Sequence, residues 1–326
     1  MAGSFLDALV TGQLPDERLR LLPALEEYRL LRRIGQGAMG CVYLAHDALL
    51  DRPVAIKFLA GLVHSAAARQ RFLIEARAIA RLTHPHVVSI YRSGEWLGHP
   101  FLVSEYVRGQ SLEHLERPLP AARVRELGLG LSRGLAAAHR RGVLHRDLKP
   151  ANILALPTPA GHHIKVLDFG LAMAKSMDVA ALSLVGTLTY MAPELLWGGP
   201  PTESADLYAF GVTAFELLAG RSPFVGGETG DVVSAILSRT PDTGSLPIPE
   251  PLRELLGRLL AKDPAARPRD ASQLCAELAA AVGRNLPAET STIRDSFLQA
   301  AAFVARNDEV AALMNRFRAA ALGPSA

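Results

Sequence analysis

Lysine is scarce in this chain. Five lysines (Lys57, Lys149, Lys165, Lys175 and Lys262) stand against thirty arginines among the 35 basic residues, so nearly every positive charge is a guanidinium. Cysteine is scarcer. Cys41 and Cys275 are too few for a disulfide framework and show no metal-ligand spacing, which suits small buried side chains in a reducing compartment. Apolar runs are interrupted well before the ~18 residues of a membrane span. The opening MAGSFLDALVTG also lacks a basic n-region, so a cytoplasmic location is expected. A net charge of +3 with no Lys/Arg tract argues against nucleic acid as a partner. Internal repeats are absent too.

What is present is ample apolar material, 49% of 326 residues, enough for a packed core. The first 27 residues read as a short helical or irregular extension with apolar residues that could dock on the body and with no chemistry of their own. From Tyr28 the runs YRLLRRIG, GCVYLAHDA and RPVAIKFL predict antiparallel strands. Between Ser65 and Leu82, the residues Phe72, Ala76, Ile79 and Ala80 fall at helical spacing, and HVVSIYRSG and PFLVSEYV predict two more strands. Beyond Gly109 the period lengthens, predicting helices near 121–141, 204–220, 229–238, 251–261 and 270–283. PTPAG, GGPP and the segment around 241–251 read as loops. The predicted class is α+β, a small sheet lobe leading into a larger helical lobe with a cleft between them.

Three features place phosphate chemistry in that cleft. Gly35, Gly37 and Gly40 form GQGAMG between two strands, where backbone N–H groups can approach a polyphosphate without Cβ interference. A strand rather than a helix follows, which argues against a dinucleotide fold, and no GxxxxGK[ST] is present. A glycine flap carries no charge, so a cation must hold the phosphates; Lys57 in VAIK supplies it, with Glu75 on the following helix as its expected acidic partner. In HRDLKPAN, Asp147 and Asn152 share one loop, and Asp168 follows in VLDFG. The oxygens of Asn152 and Asp168 suit a hard, hydrated Mg²⁺ shared with phosphates, leaving Asp147 to accept a proton.

With GQGAMGCV, VAIK, HRDLKPAN, DFG and APE in order over about residues 28–283, the chain resembles the protein kinase superfamily, in its eukaryotic-like bacterial Ser/Thr branch. The resemblance implies a bilobal kinase fold. Its N-lobe, about 28–107, would be a five-stranded antiparallel sheet with one helix, and its C-lobe, about 108–283, mainly helical. ATP and Mg²⁺, with Mn²⁺ as a substitute, are the implied cofactors, and protein Ser/Thr hydroxyls the implied substrates, the chain itself among them. Asp147, Lys149, Lys57 and Glu75 would be catalytic. Ile34, Gly35, Gly37, Gly40, Val42, Ala55, Lys57, Glu105 and Val107 would line the nucleotide, with the hinge in SEYVRG including Tyr106. Asn152 and Asp168 would hold the metal, while Arg146, Asp206 and the ion pair Glu194–Arg267 would support the structure. His145 and Phe169 match positions in an apolar column linking the lobes.

The Ser/Thr class is suggested by the lysine of HRDLKP and by Thr187 in GTLTYMAPE. Ser104, just before the hinge, is small where relatives are often bulky, which predicts room for extended ATP-site ligands. The activation segment offers only Ser176 and Ser183 as obvious acceptors, and Ser183 is the expected phosphosite, with Arg146 to receive the phosphate. Residues 284–326 weakly resemble the opening of ATPase domains fused to bacterial kinases. A fused downstream ATPase or sensor domain and a homodimer are accordingly the further partners considered. The competing reading is a pseudokinase scaffold, which would often have lost Lys57, Asp147, Asn152 or Asp168; all four are here. A small-molecule kinase of related fold is disfavoured by the segment from DFG to APE.

Overall fold

The computed structural model describes residues 8–19, 25–37, 40–59, 66–96, 98–158, 161–169, 188–224, 226 and 228–281. The activation segment from residue 170 to 187, with Ser176, Ser183 and Thr187, and the tail beyond 281 lie outside the described residues. Five antiparallel strands, β1 (Tyr28–Gly37), β2 (Gly40–Asp47), β3 (Arg52–Leu59), β4 (Ile90–Trp96) and β5 (His99–Glu105), pair in the order β1-β2-β3-β5-β4. The helix α1 (Ala66–Ala80) sits between β3 and β4 in the chain.

This sheet is apolar on both faces. Along β3, Val54, Ile56 and Phe58 alternate with Ala55, Lys57 and Leu59, so period-2 geometry sends one set outward and the other toward the cleft. The inner set continues the main core: Leu59 and Leu102 cluster with Phe72, Ala76 and Ile79 of α1 and with Phe169 and Leu148 of the larger lobe. The outer set, with Tyr43, Phe101 and Val103, packs under Leu9, Val10, Leu14, Leu19 and Leu25 of the N-terminal extension. Each such side chain contributes roughly 1.5–3 kcal/mol on burial, so the extension is an integral layer of the sheet lobe. The docking expected of residues 1–27 is found for those described.

The larger lobe is built from α2 (Ala121–His139), α3 (Glu203–Ala219), α4 (Thr229–Ser238), α5 (Glu250–Leu259) and α6 (Ala271–Ala280). Along α2 the residues Val124, Leu127, Leu131 and Leu135 recur every three or four positions and are buried. Helix α3 stops at Gly220, whose φ of 72° is a left-handed C-cap. At the start of α6 the Asp270 carboxylate accepts from the Gln273 N–H at 2.8 Å. Two further strands, β6 (Ile153–Thr158) and β7 (Gly161–Val166), pair antiparallel with Thr158 opposite Gly161, and Gln110–Ser111 extends them to a three-stranded sheet. The strand expected to start at His86 begins instead at Ile90. Residues 86–88 are drawn away to pair with β7, Val166 N–H bonding to His86 O at 2.9 Å and Val88 N–H to Val166 O at 3.0 Å. No helix among the described residues is long and apolar enough to cross a membrane.

Candidate active site

The glycine pattern folds as a hairpin, with Gly37 opposite Gly40 and Gly35 opposite Val42. Gly40 takes φ 122°, a conformation L side chains rarely adopt, whereas nothing lies within 4 Å of where a Cβ on Gly37 would be. Gly40 is thus required by the backbone, and Gly37 leaves open space. Cross-strand register puts Val42 beside Lys57, and Ala55 beside Ser104 on β5, so two small residues adjoin just before the hinge. Ile34 remains about one-third exposed. At the hinge, Glu105 N–H is bonded to Ser89 O at 2.9 Å, and the Glu105 carboxylate accepts from Lys165 Nζ at 2.6 Å. The side chain of Glu105 is thereby committed to the larger lobe, and any contact with a heterocycle edge falls to the hinge backbone.

Across the cleft, the loop 145–152 is fixed from behind. Asp206 on α3 accepts from His145 N–H at 2.7 Å and from Arg146 N–H at 2.9 Å, and lies 2.8 Å from His139 Nε2. Burial pushes the Asp206 carboxyl up; the His139 bond, the neighbouring imidazoles and the His145 N–H more than offset it, leaving the pKa below the ordinary carboxylate value. Burial holds the His145 imidazole pKa low, and its ring lies 4.7 Å from that of Phe169. These anchors hold Arg146 at φ 65°, and Asp168 takes φ 58°, both strained for non-glycine residues. Glu194 and Arg267 form a bidentate pair at 2.7 and 2.8 Å, and Arg267 Nη1 also donates to Ser204 O at 3.0 Å.

Within the loop, Asn152 Nδ2 donates to Asp147 O at 2.7 Å and to its Oδ2 at 3.2 Å, and Lys149 Nζ lies 3.0 Å from the same Oδ2. With its amide nitrogen committed, Asn152 has only its carbonyl oxygen left to ligate a cation. Among the described residues no group of three or more His, Cys, Asp or Glu could hold a metal. Two oxygens, from Asn152 and Asp168, instead fit a hard cation that keeps waters and takes its other ligands from phosphate. Donor chemistry and number are those such an ion needs.

One expected pairing is different. Lys57 Nζ meets Asp168 Oδ2 at 2.6 Å rather than Glu75, and Glu75 Oε1 is held by Arg146 Nη1 at 2.6 Å. The reason is electrostatic: Lys57 is mostly buried and takes the carboxylate nearest its tip, while α1 presents Glu75 to the guanidinium of the catalytic loop. Arg146, expected to await a phosphate, is therefore engaged by α1. Two participants escape a sequence reading. His139 behind Asp206 sits on an amphipathic helix with no motif around it; Lys165 at the hinge is a single polar residue whose partner lies far away in the chain.

Residues 28–278 match the protein kinase domain, and the chain belongs to that family, which uses ATP with a divalent cation. It is 38% identical over 271 residues to the serine/threonine-protein kinase pkn2 of Myxococcus xanthus, covering 78% of this chain and 32% of that protein. It is 37% identical to the serine/threonine-protein kinase PknF of Mycobacterium tuberculosis, covering 79% and 56% respectively. A crystal structure of the Mycobacterium tuberculosis PknI kinase domain, in a cysteine-to-alanine variant, superimposes with a TM-score of 0.59 at 28% identity, covering 79% of this chain and 96% of that one. The chain thus spans about a third to just over half of the length of the two curated relatives.

Proposed function

We propose that the chain transfers the γ-phosphate of ATP to Ser or Thr hydroxyls of proteins in a Mg²⁺-dependent reaction, in the cytoplasm of a bacterium. The observation that supports it most is the convergence of Lys149 and Asn152 on the Asp147 carboxylate, together with Asp168 on Lys57. Asp147 orients the acceptor hydroxyl and takes its proton, and Lys149, already beside it, neutralises charge on the transferred group. Lys57 supplies the fixed cation under the flap of Gly35, Gly37 and Gly40, with Ile34, Val42 and Ala55 as apolar cover and Glu105 and Val107 as the hinge. Asn152 and Asp168 would hold Mg²⁺, which would supply positive charge against the phosphates.

For that arrangement Asp168 must exchange Lys57 for the ion, and Glu75 must exchange Arg146 for Lys57. Phosphorylation of Ser183 would offer Arg146 a dianion in place of Glu75. The presence of Lys57, Asp147, Asn152 and Asp168 gives no support to a pseudokinase scaffold. Transfer from radiolabelled ATP to a generic basic protein tests the proposal. Wild type should label and Asp147→Asn should fall by about 10²–10⁴-fold with its melting temperature unchanged. Equal labelling by the two proteins would remove Asp147 from this role, and label on neither would favour the scaffold. Phosphoamino-acid analysis showing mainly phosphotyrosine would reject the Ser/Thr assignment.

A further inference from the structure

The N-terminal segment does more than cover the outer face of the sheet. Gln36 lies inside the glycine pattern, between Gly35 and Gly37, and its Nε2 donates to Thr11 O at 2.7 Å. Arg33 Nη1 donates to Gly12 O and, at 3.1 Å, to Gln36 Oε1, while the Arg33 N–H donates to Asp16 Oδ1 at 3.1 Å. On β2 the Tyr43 hydroxyl, buried, donates to Leu9 O at 2.6 Å. Both strands of the flap are therefore tied to the same short stretch of chain.

Close packing reinforces the tie. Gly12 has φ +73°, and a Cβ there would lie 2.6 Å from Cys41 Sγ and 2.8 Å from Arg33 Nη1, so the segment reaches the hairpin only with glycine at that point. Cys41, one residue beyond the last glycine of the flap, is completely buried beneath it. Leu9, Val10 and Leu14 anchor the same stretch in the outer core. Every polar contact falls on the side of the hairpin away from Val42 and Lys57, so the segment acts on the flap without entering the cleft.

We propose that residues 9–16 are a strap that sets the position of the glycine-rich flap, with Arg33 and Gln36 as positioning residues that raise affinity for ATP and leave the chemical step alone. This rests on the kinase reading above. A glycine flap is costly to order when a ligand binds, and bonds that order it beforehand remove part of that cost from binding. The strap touches none of the groups assigned to the transfer, so it acts on the ground state. Its loss is read in KM and Kd rather than in kcat.

The test uses the full chain and a cycle of two changes. Gln36→Met keeps the side-chain length and deletes the donor; KM for ATP and the Kd for Mg·ATP should rise about 3- to 10-fold with kcat within about twofold. Leu9→Asp releases the strap and should raise KM at least as much, and adding Gln36→Met to it should then change nothing further. In parallel, alkylation of Cys41 by iodoacetamide, read by peptide mass mapping, should be slow in wild type and fast in the released chain. If Leu9→Asp does not fold, Gly12→Ala, whose Cβ would stand 2.6 Å from Cys41 Sγ and so lifts the strap off the hairpin, takes its place. Equal effects of Gln36→Met with and without the strap would show direct contact with nucleotide and overturn the inference. So would an unchanged KM, or wild-type Cys41 reacting as fast as in denaturant. Wild type that neither binds Mg·ATP nor transfers phosphate would instead defeat the kinase reading on which the affinity effect depends.

Discussion

In the larger lobe Arg267 is fully buried and bidentate to Glu194, and the Asp206 carboxylate serves two backbone N–H groups of the loop 145–152 and an imidazole. Where the loop faces the sheet lobe, by contrast, Arg146 and Glu75 are about one-fifth exposed, and Lys57 is paired with Asp168. Buried pairs with several bonds are expensive to break, whereas partly hydrated pairs exchange partners at little cost. The larger lobe therefore presents Asp147 and Asn152 ready-made. The smaller lobe holds the right charges in an arrangement that can be re-partnered, which is where control over activity is cheapest to install.

The contrast is broken most severely at Arg267. Arg267→Ala leaves Glu194 without its partner and should cost about 3–5 kcal/mol, seen as a large loss in urea midpoint and not as a selective loss of turnover. Next comes Asp206. In Asp206→Asn one oxygen must serve two N–H groups, so about 1–3 kcal/mol should be lost. The carboxyl pKa is depressed in the folded state, so its contribution is fully present above the unfolded value and fades as pH falls through the lower folded value. Urea titrations below about pH 4 should show wild type losing stability more steeply than Asp206→Asn; parallel curves would mean the carboxylate charge is unimportant there.

Smaller effects sharpen the picture of the groups that face the cleft. Lys149→Arg keeps the charge but replaces a compact ammonium by a planar fork, and kcat should drop about tenfold. A wild-type kcat would make the lysine at this position a coincidence. Arg146→Gln removes the Arg146–Glu75 pair, and because a partly exposed pair holds at most about 1 kcal/mol, the initial rate of unphosphorylated protein should rise by no more than about fivefold. A fall in that rate would show that Arg146 supports the loop more than it restrains α1.

Most of the architecture was legible because its signals are local. The alternation in RPVAIKFL, the glycines of the flap and the spacing in HRDLKPAN each determine a strand, a hairpin or a loop within ten residues. The predicted C-lobe helices lie within a few residues of those found, since each carries its own apolar stripe. The short hairpin β6–β7 was missed because its apolar run is brief and its turn reads as a loop. His139, Lys165 and Gln36 were missed for a different cause: each acts on a partner far away in the chain, and nothing beside it in sequence marks the meeting.

The sequence by itself determined which chemical groups this protein brings to the cleft and the order of the elements that carry them. It also showed Lys57 and Lys149 standing out among so many arginines, at the two positions for which a compact point charge beside a phosphate is proposed. Which carboxylate each cation holds was decided only by the tertiary structure. Lys57 lies 111 residues from Asp168, Arg146 lies 71 from Glu75, and Gln36 lies 25 from Thr11, so each pair is chosen by distance and burial after the chain has packed. Charge alone permits several pairings, and the fold selects among them by proximity.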